Sequence, residues 1–188
     1  MTAVVVILDR SLSMPMTDFF DPARGRAIEL INDLAKPGCP DHLQALIPFG
    51  ARASVTDPAD LPDLEFDYEY GSNLDEALRL AVAGLAGESG RIVVISDLYV
   101  SAHTSEDGKV VFSWPPAQET LDRTREAIRL CKGASITLEA WRYRDEEATA
   151  QDVSGLVGAS ILDAGGTVED VLIRSFSQGL DRDARYAG

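Results

Sequence analysis

Two carboxylates and three hydroxyls stand where they could bind a metal ion together. Asp9, Ser11 and Ser13 follow an apolar run near the start of the chain, and Ser72 and Asp97 come later. A turn can bring side chains at positions i, i+2 and i+4 toward one point. Because these donors are all hard oxygen ligands, they favour Mg²⁺, with Mn²⁺ or Ca²⁺ as alternatives. The residue types therefore predict cation binding.

Two predicted strands and one helix would position these donors. Residues 3–8 are apolar and mostly β-branched, without polar alternation, which is typical of a parallel strand covered on both faces. A strand over 91–97 ends in Asp97, and Ser72 precedes an amphipathic helix over 74–85. The carboxyl ends of parallel strands meet at one edge of the sheet, so we expect the three segments to converge there.

The rest of the chain continues to alternate between strands and helices. A helix is predicted to begin at an Asp21 cap, with Pro22 at its first position, and to end before Pro37. Further strands are predicted at 43–49, 135–141 and 160–163, with a short antiparallel edge strand at 51–56 and a hairpin around 106–109. Further helices are predicted at 118–131, 150–156 and 167–179. The helix over 74–85 is expected to have its N-cap at Ser72 or Asn73.

This alternation predicts an α/β fold with a doubly wound, mostly parallel central sheet. One short antiparallel edge strand and helices on both faces complete the expected Rossmann-like architecture. We expect a single domain over residues 1–180 and a flexible tail over 181–188.

Composition argues against several classes of partner and compartment. The formal net charge of -14 opposes binding to nucleic acid or to anionic membranes. Cys39 and Cys131 form no CxxC or Cys/His cluster, which favours free thiols in a reducing compartment over a disulfide framework or a zinc site. The first apolar run is too short for a secretion signal or a membrane span. We therefore expect a cytoplasmic protein that contacts no membrane.

The three segments resemble the metal-ion-dependent adhesion site of von Willebrand factor A (vWA) domains. That family carries D-x-S-x-S, then a Gly-Thr-x-Leu-like turn, then an Ile-Ser-Asp-Gly-like strand end. The matching segments here are Asp9-Arg10-Ser11-Leu12-Ser13, Gly71-Ser72-Asn73-Leu74 and Ile95-Ser96-Asp97. The resemblance covers nearly the whole chain and implies the same vWA-type fold.

The resemblance also implies a role for each donor. Ser11, Ser13 and Ser72 would coordinate the metal directly, while Asp9 and Asp97 would act largely through coordinated water and hydrogen bonds. The chain departs from the family pattern where Leu12 and Leu98 replace a usual Gly and where Ser72 replaces Thr. None of these changes removes an oxygen ligand.

A metal-dependent protein interaction module, not an enzyme, is the function that the resemblance implies. Neutral hydroxyl ligands leave the charge of a cation under-compensated, so the cation can accept a Glu or Asp side chain from a protein partner. The family resemblance further suggests an adaptor for an AAA+ ATPase of the MoxR or chelatase kind, which is an argument by analogy.

Two alternatives remain open. A structural interaction domain with an unoccupied metal site would bind through the long segment 98–116, whose aromatic residues suit either a partner contact or packing over the sheet edge. A Mg²⁺-dependent phosphohydrolase would use Asp9 as its nucleophile. Against this, Ser11 stands where a haloacid-dehalogenase-like phosphatase has a second Asp, and no GxxxxGK[ST] loop occurs. His103, in the same long segment, is expected to be solvated.

Overall fold

The computed structural model describes residues 1–16, 19–114 and 116–142 of the 188-residue chain. Its elements are β1 (Thr2–Asp9), α1 (Ser13–Met16), α2 (Phe20–Leu34), β2 (Asp41–Phe49), a 3₁₀ helix (Pro58–Asp63), α3 (Leu74–Gly84), β3 (Gly90–Ser96), β4 (Ala102–Thr104), β5 (Val110–Phe112), α4 (Gln118–Gly133) and β6 (Thr137–Arg142). The elements expected at 150–156, 160–163 and 167–179, and the expected tail at 181–188, lie outside the described residues.

Four parallel strands form the central sheet of the described residues, in the order β2-β1-β3-β6. β1 pairs with β2 as far as Asp9 and Phe49, and with β3 as far as Leu8 and Ile95. The strand order reverses at β1, because β2 lies on one side of it and β3 on the other. Ligands of open α/β sheets bind beyond the carboxyl ends of the strands at such a reversal. The sheet therefore places the ends of β1 and β3 side by side.

Both faces of this sheet are covered by helices. Val4, Val6 and Leu8 of β1 pack with α2 in one apolar layer. Val5 and Ile7, which point the other way, pack with α3 and α4 in the second layer. Burial on both faces explains why the sequence of β1 is apolar without alternation. The predicted doubly wound, mostly parallel α/β fold is confirmed.

α2 begins earlier than the sequence predicts. The helix starts at Phe20, and Phe19, at the cap position, makes no side-chain capping hydrogen bond, so the expected Asp21 cap is wrong. Both phenylalanines are buried, and this burial fixes the helix start in place of a cap. Asp21 instead pairs with Arg24 at 2.8 Å. Pro22 is tolerated because the first amides of a helix have no partner within it.

In α3 and α4, apolar residues at helical spacing form the buried face. In α3 the buried residues Leu74, Ala77, Leu78 and Ala81 recur at helical spacing and face the sheet. α4 buries Ala127, among others, against the same layer. Within the described ranges, no helix is both long enough and apolar enough to cross a membrane.

Antiparallel pairing occurs mainly in the hairpin. β4 and β5 pair antiparallel with Ala102 opposite Phe112, as the turn signal predicts. The edge strand expected at 51–56 is reduced to isolated antiparallel bridges, Leu46 with Thr56 and Phe49 with Ala53. Val55 in this segment is 63% exposed. The segment thus buries little apolar surface that could hold it as a continuous strand.

Candidate functional site

Asp9 is the centre of a buried hydrogen-bonded cluster at the end of β1. Its carboxylate is fully buried. One oxygen accepts the Ser11 backbone N–H at 2.8 Å, and the other accepts the hydroxyls of Ser96 at 2.5 Å and Ser72 at 3.4 Å. Burial raises the pKa of the Asp9 carboxyl above its ordinary value, and these hydrogen bonds oppose the rise.

Ser11 and Ser13 extend this cluster toward the surface. Ser11 is buried and Ser13 half-buried, and their hydroxyl oxygens lie 3.1 Å apart. The turn between them closes when the Met14 N–H donates to the Ser11 carbonyl as α1 begins. Leu12 is not among the described residues with positive φ, so this turn does not require the glycine that the family pattern favours.

The Ser72 loop is held from two sides. Asn73 is the N-cap of α3, as one of the two predicted caps, and its side chain accepts the Glu76 N–H. The Asn73 side-chain amide also donates to the carbonyl of Ala51 and to the hydroxyl of Thr104. Asn73 is fully buried, and these bonds hold the loop backbone next to Ser72.

The β4–β5 hairpin provides the second support for Ser72. The Ser72 N–H donates to the Ser101 hydroxyl at 3.1 Å, and the Ser101 N–H returns a bond to the Ser72 carbonyl at 3.1 Å. Gly71 has φ +129°, and a Cβ there would lie 2.7 Å from the Cβ of Ala102. The hairpin therefore packs so closely on the loop that only glycine fits before Ser72.

The end of β3 forms two consecutive side-chain turns. The Ser96 hydroxyl accepts the Leu98 N–H at 2.8 Å, and the Asp97 carboxylate accepts the Tyr99 N–H at 3.0 Å. These turns place Leu98 at φ +63°, a conformation natural for the Gly that the family pattern has there. Asp97 is fully buried at the same edge of the sheet as Asp9.

The structure brings most of the predicted donors into one network. Asp9, Ser11 and Ser72 are joined by direct hydrogen bonds, and Ser13 joins through Ser11. Asp97 follows Ser96, whose hydroxyl donates to Asp9, and its own carboxylate accepts the Tyr99 backbone N–H.

Sequence reasoning missed the supporting residues of this network. Ser96 lies within the Ile95-Ser96-Asp97 segment that matches the family pattern, so its position could have signalled a role beside Asp9. Ser101 carries no comparable sequence signal, because its bond to Ser72 spans 29 residues of chain. The expectation of a solvated His103 is wrong, since the ring is 1% exposed and hydrogen bonds to Thr120 of α4 at 2.9 Å.

The donor set fits a hard divalent cation. It consists of carboxylate and hydroxyl oxygens, and Asp9 forms no ion pair with any described residue. Desolvation of an ionised carboxylate is costly unless an opposite charge compensates it, and a cation would supply that charge. No group of three or more His, Cys, Asp or Glu within the described ranges is arranged to hold a metal. A site here would depend on its serine hydroxyls.

Comparison with known proteins places the chain in a family. A family model described as "Rv0959-like protein, vWA domain" matches residues 2–164. The chain belongs to this family of vWA domains. The vWA domain is similar to the uncharacterized protein Rv0959 of Mycobacterium tuberculosis and to the uncharacterized protein Mb0984 of Mycobacterium bovis, each 34% identical over 147 residues. Each match covers 72% of the vWA chain and 21% of the relative, so the chain spans only that part of the relatives' length.

Solved structures share the fold of this vWA domain at low sequence identity. The pilus adhesin SpaC from Lactobacillus rhamnosus GG, in an open conformation, aligns with a TM-score of 0.50 and 15% identity, covering 94% of the domain and 30% of the adhesin. Proximal thread matrix protein 1 from the mussel byssus aligns with a TM-score of 0.50 and 12% identity, covering 74% of the domain and 34% of that protein. At these identities the comparison establishes the fold alone.

Proposed function

We propose that this vWA domain is a cation-dependent protein interaction module. In this proposal the hydroxyls of Ser11, Ser13 and Ser72 bind a divalent cation directly, and Asp9 and Asp97 act through coordinated water and hydrogen bonds. The hard oxygen donors favour Mg²⁺. The observation that carries the proposal is the Asp9 carboxylate, fully buried among hydroxyl and amide donors and without an ion pair among the described residues. A cation beside it would compensate the cost of burying that charge.

The residues of the chain have separate tasks in this proposal. Asp9 orients the Ser11 amide and the Ser72 hydroxyl, and Ser96 fixes the second carboxylate oxygen of Asp9. A bound cation would supply an open coordination position for a carboxylate from outside. Because the hydroxyl ligands are neutral, the cation keeps enough positive charge to attract a partner's Glu or Asp to an acidic protein.

The partner that we propose is a protein offering such a carboxylate. An AAA+ ATPase of the MoxR or chelatase kind is the class that the family resemblance suggests. We also propose that the domain is not a phosphohydrolase, because a nucleophilic carboxylate must reach its substrate. The Asp9 carboxylate is fully buried and is engaged by three side-chain and backbone donors.

Thermal denaturation with and without Mg²⁺ tests the cation site. We expect Mg²⁺ to raise the melting temperature of the wild type, because a ligand that binds only the folded state stabilises it by about 2.7 kcal/mol at a hundredfold excess over Kd. Asp9→Ala and Ser11→Ala should abolish this increase. Ser89→Ala is the matched control, because Ser89 is exposed just before β3 and therefore lies at the opposite edge of the sheet.

Two results would overturn the cation proposal: a wild type that Mg²⁺ does not stabilise, or Asp9 and Ser11 variants that fold and still respond fully. Circular dichroism of the variants before heating shows whether each has folded. Capture of a native partner in Mg²⁺ and in EDTA then separates the alternatives. Capture that EDTA abolishes supports the cation proposal, whereas EDTA-resistant capture favours a structural interaction domain that binds through 98–116. Turnover of a phosphate ester that Asp9→Asn abolishes would instead favour the hydrolase.

A further inference from the structure

A run of exposed aromatic residues lies beside the candidate site. Residues 65–70, which we call the acidic–aromatic strip, alternate acids and rings in the order Glu65, Phe66, Asp67, Tyr68, Glu69 and Tyr70. Tyr68 and Tyr70 expose 71% and 68% of their surface. The strip is tied to the end of β1 because the Asp67 N–H donates to the Arg10 carbonyl at 2.6 Å. It thus forms part of the rim around Asp9 and Ser11.

The rings of the strip continue onto neighbouring elements. Phe66 contacts Tyr68, with ring centroids 4.6 Å apart, and meets Phe20 of α2 edge-on at 6.1 Å. At the other end Tyr70 lies 5.7 Å from Phe112 of β5, which is itself 45% exposed. Aromatic residues are enriched in the cores of protein interfaces, so neighbouring exposed rings mark a candidate contact surface.

Two arginines lie at one end of the strip, but they bind backbone carbonyls: Arg10 donates to the Glu65 carbonyl at 3.2 Å and Arg24 to the Leu64 carbonyl at 2.8 Å. Glu65, Asp67 and Glu69 form no ion pair with any residue that the structure describes. No Lys or Arg occurs in the sequence between Arg52 and Arg79. The Asp67 carboxylate accepts the Ala51 and Glu69 N–H groups, whereas Glu65 and Glu69 are exposed. The strip therefore presents the negative charge of Glu65 and Glu69 together with aromatic faces to an incoming group of positive charge.

The chain itself shows the chemistry that such a surface supports. Arg24 lies with its guanidinium carbon 5.5 Å from the ring centroid of Phe20 and pairs with Asp21 at 2.8 Å. A cavity of about 310 Å³ opens directly beside this group, with Glu65 and Tyr68 in its wall. An arginine placed on a ring and a carboxylate is thus already present at one end of the strip.

We propose that the acidic–aromatic strip is a docking surface for an arginine-containing basic segment of a protein partner. A planar guanidinium can stack on Tyr68 or Tyr70 while it donates to Glu65 or Glu69, which a lysine ammonium cannot do as well. This binding requires no cation at Asp9, so it is independent of the function proposed above. Complementary charge would also speed the encounter with a basic partner.

Fluorescence anisotropy with synthetic peptides in EDTA tests this proposal. The probe is a labelled peptide of alternating Arg and Gly, compared with matched Lys–Gly and Glu–Gly peptides. We expect the Arg peptide to bind about threefold more tightly than the Lys peptide, and the Glu peptide not to bind. The double variant Tyr68→Ala/Tyr70→Ala should weaken Arg-peptide binding by about tenfold, whereas Tyr68→Phe/Tyr70→Phe, which keeps both rings, should retain it.

The charge of the strip is tested by a matched pair of single substitutions. Glu65→Gln should weaken Arg-peptide binding by about threefold at low salt, and Glu88→Gln, at the opposite edge of the sheet, should leave it unchanged. The proposal is overturned if the wild type does not bind the Arg peptide, if the Tyr→Ala variant binds as tightly as the wild type, or if Glu88→Gln weakens binding as much as Glu65→Gln. Because EDTA is present throughout, failure of the cation proposal would leave these outcomes unaffected.

Discussion

Leu98 combines a strained backbone conformation at the candidate site with a side chain that is buried in the core. Its φ of +63° follows from the two side-chain turns formed by Ser96 and Asp97, which bring the chain back over the sheet edge. A non-glycine residue in this region costs about 1–2 kcal/mol. Leu98 is also fully buried in the layer beneath α3, and the contacts of its side chain offset that cost.

An alanine variant is usually more stable than a glycine variant at the same position, and at Leu98 we expect the reverse. Leu98→Ala should destabilise the domain by about 2–5 kcal/mol, because it opens a cavity and keeps the strained φ. Leu98→Gly should be more stable than Leu98→Ala by about 1 kcal/mol, since glycine adopts this φ without strain. Urea unfolding of both variants measures the difference, and an alanine variant more stable than the glycine variant would contradict it.

At the scale of elements, the β4–β5 hairpin is a brace for the Ser72 loop. The sequence predicts this hairpin because its turn residues are neighbours in the chain. Its contact with Ser72 depends on Ser101 and Ala102, and the hairpin is in turn anchored to α4 by the buried His103. The long segment 98–116 thus supports the candidate site as well as exposing Phe112.

The closeness of this brace is tested at Gly71. Gly71→Ala should destabilise the domain by about 2 kcal/mol or more, because the new Cβ would lie 2.7 Å from Ala102 and φ is +129°. Gly25→Ala is the matched control, since Gly25 lies within α2 with no atom within 4 Å of its added Cβ. That control should stabilise the domain by about 0.5–1 kcal/mol. Equal effects of the two substitutions in urea unfolding would argue against the brace.

At the scale of the whole molecule, the core determines the chemistry of the cysteines. Cys39 and Cys131 are both free, as the sequence predicts, and Cys131 is fully buried between α4 and the sheet. Burial raises the pKa of the Cys131 thiol from 9.0 to about 11. The folded protein therefore binds the thiol proton more tightly than the unfolded chain does.

This difference predicts how stability changes at high pH. The stabilisation is fully present below about pH 9 and is lost as the pH rises toward about 11, because unfolding then releases a proton that the folded state retains. The free energy of unfolding of the wild type should fall over this range relative to that of Cys131→Ala, measured by urea titration under reducing conditions. Cys39→Ala should keep the wild-type dependence. A wild type that parallels Cys131→Ala throughout would disprove this coupling.

The fold class and most of the candidate donors can be predicted from the amino-acid sequence. The unbroken apolar run of residues 3–8 and the helical stripe of α3 are local signals, and parallel order then requires the segments that follow β1, β2 and β3 to meet at one edge. Asp9, Ser11, Ser13 and Ser72 could be named for that reason. Asp9, Ser11 and Ser13 are close neighbours in the chain, and the parallel order of the strands brings Ser72 near them.

The residues that surround those donors are known only from the folded chain. The start of α2 was set by burial of Phe20 rather than by the local cap signal at Asp21. The bonds from Ser96 to Asp9 and from Ser72 to Ser101 join residues 87 and 29 positions apart, and no local pattern encodes such pairings. Burial and long-range hydrogen bonding depend on the packed chain as a whole, so the network that holds Asp9 could be found only in the folded molecule.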